Sequence, residues 1–206
     1  ESGRSKDLGG GRWAGHPGWG HPHIVHIADP DHAWHDPSAM HIVTTAELHR
    51  SNLATIVKMT DCEGAMRFDL VAGAGNRKVA FLPVPGGNRK FSIIYDEESR
   101  LYWLVANHVT DSMRLPKKLP RERRGLPSDQ CDRIVLHFSR NLVDWSMAGL
   151  VDAGASDKST RAAPAMAVHG NDLYITCASG DENCKDSHHT NLVNIYRIPS
   201  FRELTY

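Results

Sequence analysis

The chain repeats one plan of short β-strand candidates separated by polar turns, and this repetition constrains its fold most strongly. In the clearest copy, residues 90–95 and 101–106 flank a polar turn and predict a hairpin. Strand patterns return at 133–138 and 145–150, after a long polar segment that is rich in proline and cannot be a sheet strand. This copy therefore predicts four antiparallel strands, a to d, with one long loop between b and c.

The same plan occurs on both sides of this copy. The later copy has strand candidates at 163–168, 173–177 and 191–197, and residues 200–204 stand where the fourth strand would begin. The earlier copy has candidates at 23–28, 40–45, 53–59 and 66–70, with its long insertion between a and b. No stretch holds a helical period of apolar residues.

Three four-stranded repeats at a spacing of roughly 70 residues predict an all-β chain that forms about three blades of a β-propeller. A β-sandwich is the alternative, but it gives no reason for matching b–c loops in two successive copies. We expect a Gly-rich extension at 1–19 and a propeller at 20–206, with blades at about 20–75, 85–152 and 160–206. Because propellers close with about 4–8 blades, the ring is expected to be incomplete, with open blade edges through which the chain self-associates.

Charge and hydropathy narrow the classes of partner. The 206 residues include 24 Lys plus Arg and 24 Asp plus Glu, so no global field attracts nucleic acid or an anionic membrane. No window approaches the length of apolar sequence that a transmembrane helix needs. We therefore expect neither nucleic acid nor a membrane as a partner. The sequence does not decide the cellular compartment, although we slightly favour a secreted or periplasmic location.

Cysteines and histidines were the natural candidates for a metal site. The four cysteines form no CxxC pair, and Cys177 and Cys184 either bridge in an oxidising compartment or remain unpaired thiols. Histidines are dense near the amino terminus, but prolines interrupt them and no HExxH-like spacing occurs; they are His16, His21, His23, His26, His32, His35 and His41. The sequence predicts loop histidines with ordinary hydrogen bonds, no metal and no cofactor.

Several segments resemble the bacterial sialidase-like propeller proteins of the BNR-repeat, or neuraminidase, superfamily. The resemblance is carried by residues 85–96 with 101–103, and further by 136–139, 144–145, 179–182 and 191–204. The Asp-box of that family runs Ser-x-Asp-x-Gly-x-Thr-Trp, whereas residues 139–145 have Asn141 for Asp, no Gly and the tryptophan one place early. We assign Ser139 and Trp145 to blade packing.

The resemblance implies an exo-sialidase-type glycoside hydrolase acting on a terminal sugar, with arginines for the sugar carboxylate and a carboxylic acid for the leaving oxygen. Loops on one face of a propeller supply the candidates. The catalytic candidates are Asp111, Asp181 and Glu182, and the substrate-binding candidates are Arg89, Lys90, Asn107, Arg114, Arg161, His188 and His189. No loop tyrosine matches the family's nucleophile, because Tyr95, Tyr102, Tyr174 and Tyr196 all fall within predicted strands.

Two further function classes stay open beside the hydrolase. One is a carbohydrate-binding propeller that holds a glycan in the same loops without reacting, and the other is an interaction propeller. Carbohydrate is the expected partner in the first two classes.

Overall fold

The computed structural model describes residues 19–46, 51–120, 130–156 and 159–206, and throughout these ranges the regular structure is antiparallel β-sheet with short 3-10 turns. The 3-10 turns are Ala74–Asn76, Pro116–Lys118 and Phe201–Leu204. Part of the proline-rich polar segment, residues 121–129, lies outside the described residues, as do His16 and most of the expected amino-terminal extension. Within the described ranges, no helical segment has both the length and the hydropathy of a membrane span.

The first blade is a meander of four consecutive strands with one later addition. Its strands are β1 (Trp19–Val25), β2 (Ala39–Ala46), β3 (Leu53–Cys62) and β4 (Ala65–Asp69). A small hairpin follows, formed by β5 (Val71–Ala72) and β6 (Lys78–Val79), and then β7 (Phe81–Pro83) returns to pair with the start of β3. The outer position of this blade is therefore shared by two short strands, β4 and β7.

The second and third blades follow the predicted order. The second contains β8 (Ser92–Asp96), β9 (Leu101–Asn107), β10 (Arg133–Ser139) and β11 (Ser146–Ala153), each paired with the next along the chain. The third contains β12 (Arg161–His169), β13 (Asp172–Ser179) and β14 (Leu192–Ile198). It stops at three strands, because the segment after β14 forms a 3-10 turn that places Phe201 in the core.

Two hydrophobic cores lie on opposite sides of the second blade. Tyr102, Leu104 and Ala106 of β9 belong to the core shared with the first blade. The alternate residues of the same strand, including Trp103 and Val105, belong to the core shared with the third blade. A β-sandwich leaves one face of each sheet to solvent, whereas here the middle sheet is covered on both faces. The prediction of an all-β propeller of antiparallel blades is confirmed, with the third blade lacking a fourth strand.

Candidate functional site

One end of the blades gathers the loops that the sequence pointed to. We call this end the loop face and define it by residues 51–52, 84–90, 107–114, 154–156, 159–161 and 179–191. Asn52 Nδ2 donates to the Val109 carbonyl at 3.1 Å, which joins the first two blades. Asn107 Nδ2 donates to the Arg161 carbonyl at 2.7 Å, which joins the second and third. All ten predicted site residues lie in these segments.

Buried polar atoms without a hydrogen-bond partner are concentrated on the loop face. They include Oδ1 of Asn52, both amide atoms of Asn88, Nε of Arg89 and Oδ1 of Asn107. A buried polar atom without a partner costs free energy, so a group of them indicates a place where water or a ligand supplies the missing bonds. Two of these residues, Arg89 and Asn107, are among the predicted substrate-binding residues.

Arg161 is engaged within the protein. Its Nε donates to Asp152, and its Nη1 donates to the carbonyls of Ser159, Thr160 and Gly180 at 3.2, 2.9 and 3.2 Å. Although burial opposes it, hydrogen bonds from Tyr196 and Arg161 hold the pKa of Asp152 below its usual value. The guanidinium therefore clamps the end of the second blade to the start of the third.

Tyr196 belongs to the same network. Its hydroxyl donates to Asp152 Oδ2 at 2.5 Å and accepts from Asn194 Nδ2 at 2.9 Å. Burial, followed by the bond to Asp152, raises the pKa of Tyr196. The phenol therefore stays protonated at neutral pH, which does not favour a role as a nucleophile.

Asp181 is a loop-stabilising carboxylate. Its Oδ1 accepts from Asn191 Nδ2 at 2.9 Å and from the backbone N–H of Asn183 at 2.8 Å. These bonds, with Asn191 the larger contributor, lower the pKa of Asp181. An ionised carboxylate can act as a base or a nucleophile, but it cannot donate a proton at neutral pH. Its neighbour Glu182 is exposed.

The remaining predicted residues occupy several environments on the loop face. Asp111 is buried, and its backbone N–H donates to Gln130 Oε1 at 2.8 Å. Lys90, Arg114, His188 and His189 are exposed. His189 Nδ1 accepts from the backbone N–H of Lys185 at 3.4 Å, and the His188 N–H donates to Asp186 at 2.9 Å, so both histidines also shape their loop.

The structure also settles the two alternatives left open for the cysteines. All four are free thiols, so Cys177 and Cys184 form no bridge. Cys131 Sγ donates to the Ser187 carbonyl at 2.8 Å, which ties the b–c loops of the second and third blades together. In the loop between β1 and β2 the histidines make ordinary contacts, such as His32 Nε2 with the Asn141 carbonyl at 3.0 Å. The prediction of a loop histidine with ordinary hydrogen bonds is wrong for His41, because it lies in β2, where pairing with β1 and β3 buries it. Among the described residues, no group of three or more His, Cys, Asp or Glu side chains is arranged to hold a metal ion.

A cavity of about 610 Å³ lies between the first and second blades, and we call it the inter-blade cleft. Its walls mix aromatic, apolar and polar groups: Asn52, Pro83, Val84, Pro85, Gly86, Asn107, His108, Val109, His137, Val143, Asp144, Trp145 and Ser146. Gly86 is required where the two blades approach, because it has a φ of +66° and a Cβ there would lie 2.6 Å from the Asn107 carbonyl oxygen.

His137 is the most unusual group in the cleft wall. It lies in β10, is only 7% exposed, and its Nδ1 has no hydrogen-bond partner. Burial, followed by the nearby His108, lowers the pKa of His137 to about 4. The imidazole is therefore neutral at pH 7, with one nitrogen that donates and one that accepts.

A tight turn between β10 and β11 positions the aromatic wall. Asn141 Oδ1 accepts from the backbone N–H groups of Val143 at 3.0 Å and Asp144 at 2.8 Å, and Asn141 Nδ2 donates to Asp144 Oδ2 at 2.8 Å. Trp145 packs against the first core, and its Nε1 donates to the Leu142 carbonyl at 3.1 Å. The side chain of Asn141 therefore fixes the backbone of this turn.

Sequence reasoning missed most of the cleft. It assigned Trp145 to packing, which the structure shows, but not to a cavity wall. His137 sits in an alternating strand, and nothing in its neighbours distinguishes it from a packed histidine. Asn52 and His108 come from different blades, so only the folded arrangement brings them to one cavity.

No protein-family model matches the chain, and no curated protein matches it by sequence. Among solved structures, it is similar to an α-L-arabinanase from Penicillium chrysogenum complexed with arabinobiose, with 9% identity and a TM-score of 0.39 over 77% of this chain and 40% of that one. It is also similar to a mutant α-L-arabinofuranosidase from Fusarium graminearum in complex with an iminosugar inhibitor, with 10% identity and a TM-score of 0.43 over 86% of this chain and 45% of that one. The chain spans less than half the length of both. The sialidase resemblance is not confirmed by these comparisons.

Proposed function

We propose that the chain is part of a carbohydrate-binding β-propeller and that the inter-blade cleft holds the sugar. The supporting observation is one cavity of about 610 Å³ that combines Trp145 with the polar groups of His137, Asn52 and Asp144. A sugar ring presents C–H groups that pack on an aromatic face and hydroxyl groups that need fixed hydrogen-bond partners. The cleft offers both kinds of surface.

The unpartnered atoms of the cleft suit hydroxyl groups in particular. His137 Nδ1 and Asn52 Oδ1 are buried and lack partners. A hydroxyl can donate to one neighbour and accept from another, so it can satisfy either atom whichever tautomer His137 adopts. Filling both positions removes an energetic penalty that the unliganded cleft carries.

Glycoside hydrolysis of the exo-sialidase type is the second candidate function, and it belongs to the loop face. The unpartnered Arg89 Nε and Asn107 Oδ1 favour a ligand there. In this proposal Asp181, with its lowered pKa, serves as base or nucleophile, and Asp111 or Glu182 supplies the acid. Lys90, Arg114, His188 and His189 surround the substrate, whereas Arg161 holds the blades that carry them.

Calorimetric titration with a panel of neutral and acidic mono- and oligosaccharides tests the binding proposal. Trp145→Phe and His137→Gln are expected to weaken binding about tenfold each, because they reduce the stacking surface and remove an imidazole nitrogen. His169→Gln, an exposed histidine of the third blade, is the control and should bind as the wild type does. Unchanged affinity in both cleft variants would refute the cleft as the sugar site.

Release of 4-methylumbelliferone from a panel of glycosides, sialosides and arabinofuranosides included, tests hydrolysis. Activity that is abolished by Asp111→Asn or Glu182→Gln and retained by His137→Gln supports the loop-face enzyme. Sugar binding by a protein that hydrolyses none of the glycosides supports the proposal of a carbohydrate-binding propeller. Activity that survives both carboxylate variants rules out the assigned acids.

A further inference from the structure

The first blade contains a second cavity, of about 310 Å³, which we call the polar pocket. The charged residues of its lining are Asp36, Lys58, Arg67, Asp69 and Lys78, and Trp34 and His41 lie beside them. The loop between β1 and β2 supplies part of the wall and is fixed to the protein. Trp34 Nε1 donates to the Ala72 carbonyl at 2.8 Å, and His35 Nδ1 lies 2.7 Å from the Ile27 carbonyl.

His41 is the most deeply buried residue of this lining. It is 1% exposed, and within the part of the chain that the structure describes neither Nδ1 nor Nε2 has a hydrogen-bond partner. Burial, followed by the positive charge of Lys58, lowers the pKa of His41 to about 4. A neutral imidazole with two unsatisfied nitrogens is costly in a protein interior, so the pocket has an unmet need for hydrogen-bonding partners.

The two carboxylates of the pocket, Asp36 and Asp69, already have partners. Asp36 Oδ2 accepts from Lys58 Nζ at 2.5 Å, and Asp36 Oδ1 accepts from the backbone N–H and the hydroxyl of Ser38 at 2.9 and 2.6 Å. Asp69 pairs with Arg67 through Nε at 2.8 Å and Nη2 at 3.4 Å. Both carboxylates are therefore committed to neighbours.

Donors remain in surplus. An ammonium has three N–H groups and a guanidinium has five, so Lys58 and Arg67 keep protons that the two carboxylates do not use. Lys78 adds a third cation to the lining, and the neutral His41 adds one N–H. The lining carries three cations against two carboxylates, which gives a net positive charge beside unused donors.

We propose that the polar pocket binds a small oxyanion, a phosphate or sulfate group that is either free or attached to a sugar. Phosphate and sulfate oxygens accept several charge-assisted hydrogen bonds at once, which matches the unused donors of Lys58, Arg67 and Lys78. An anion oxygen next to His41 also supplies an acceptor for its N–H. This site is separate from the inter-blade cleft and does not depend on the carbohydrate-binding proposal.

Calorimetric titration of the full chain with sodium phosphate and sodium sulfate, at constant ionic strength, tests the site. Saturable binding is expected, and Arg67→Gln and Lys78→Gln should each weaken it roughly fivefold because each removes one charge near the anion. Both positions are exposed, so these variants should fold. Lys117→Gln removes one exposed charge from the 3-10 turn Pro116–Lys118, outside the polar pocket, and should leave the affinity unchanged.

Imidazole ¹⁵N chemical shifts give a second measurement that global charge effects do not mimic. The His41 resonances are expected to shift on phosphate addition, whereas those of exposed His169 should not. If a sugar phosphate binds more tightly than inorganic phosphate, the ligand of the pocket is an anion attached to a sugar. If the two affinities are equal, the ligand is the free anion. Lack of saturable binding, equal affinity in all three variants, or unshifted His41 resonances would overturn the proposal.

Discussion

The second and third blades share one strand plan but differ in how they are stabilised. Every residue of β9 in the second blade is buried, and its side chains enter two cores in alternation. In the third blade only one face is covered. On the other face, Val193 and Ile195 of β14 are 73% and 70% exposed. A sheet buried on both faces gains about twice the apolar burial per strand of a sheet with one solvated face.

The third blade compensates with polar contacts to its neighbour. Arg202 contacts Asp96 of the second blade in a bidentate pair, with N–O distances of 2.8 and 2.6 Å. The guanidinium also lies 4.7 Å from the centre of the Phe201 ring, which is itself in the shared core. The middle blade therefore depends on apolar packing, whereas the third blade is attached by one core and a few specific ion pairs.

The largest effect is expected from Trp103→Ala, which deletes the biggest fully buried side chain of the middle blade. Trp103 lies 4.8 Å from Phe201 and 5.8 Å from Phe138, measured between ring centroids, and it is 0% exposed. The free energy of unfolding should fall by about 3–5 kcal/mol. Urea denaturation followed by tryptophan fluorescence and circular dichroism measures it. A loss below about 1 kcal/mol would mean that the middle blade does not depend on its second core.

The next effect is expected from Arg202→Gln, which leaves Asp96 buried without its cation. The loss should be about 3 kcal/mol, because an unpaired charge remains in a largely buried position. Arg197→Gln removes the Asp172 pair on the exposed edge of the same blade and is the matched control, with little change expected. Equal losses in the two variants would contradict the distinction between a buried clamp and a surface pair.

The Asp96 pair also predicts a pH dependence of stability. Burial alone would raise the pKa of Asp96, but hydrogen bonds from Arg202 and Ser99 lower it to about 2. The pKa of Asp96 in the folded state lies below that of an aspartate in the unfolded chain, which is about 3.9. The ion pair therefore contributes fully to the free energy of unfolding at a pH above about 3.9, and this contribution is lost as the pH falls toward 2. Thermal melts of the wild type and Arg202→Gln should differ most above pH 4 and converge toward pH 2.

Much of the architecture was predictable because strand patterns are local. The four strands of the second blade match the sequence interpretation closely, since alternating side chains and a polar turn specify a hairpin without distant contacts. The end of the third blade was not predictable. Phe201 is drawn into the core against Trp103, and the chain around it forms a 3-10 turn where the repeat predicted a fourth strand.

The site was less predictable than the fold, because its properties depend on neighbours from other blades. Loop position in the sequence predicts that Arg89, Asn107 and Arg161 lie on one face, but it does not reveal that Arg161 donates its hydrogen bonds to Asp152 and to backbone carbonyls. His137 is buried in the wall of the inter-blade cleft, where it shares a cavity with Asn52 of the first blade, and this arrangement is a long-range property. No local signal in the sequence could have supplied it.

A smaller effect is expected in the turn that the middle blade has and the third blade lacks. Asn141→Ala removes a side chain that accepts two backbone N–H groups and donates to Asp144. The free energy of unfolding should fall by about 1–2 kcal/mol. Asn141→Asp keeps the acceptor oxygen and should recover most of this loss. Equal destabilisation by both variants would show that the acceptor does not hold the turn.

The smallest effect on stability is expected at the open face of the third blade, where Ile195→Lys replaces an exposed apolar side chain. Its unfolding free energy should change by less than about 0.5 kcal/mol, because the residue contacts solvent rather than a core. The apolar face formed with Val193 and Ala165 instead predicts self-association, so the substitution should shift a dimer toward monomer in sedimentation velocity experiments. Lys90→Gln on the loop face is the control for a change of one charge. If the wild-type chain remains monomeric over the whole accessible concentration range, the apolar face of the third blade is covered by solvent alone. The two blades would then differ in how they are stabilised and not in whether they associate with a second copy.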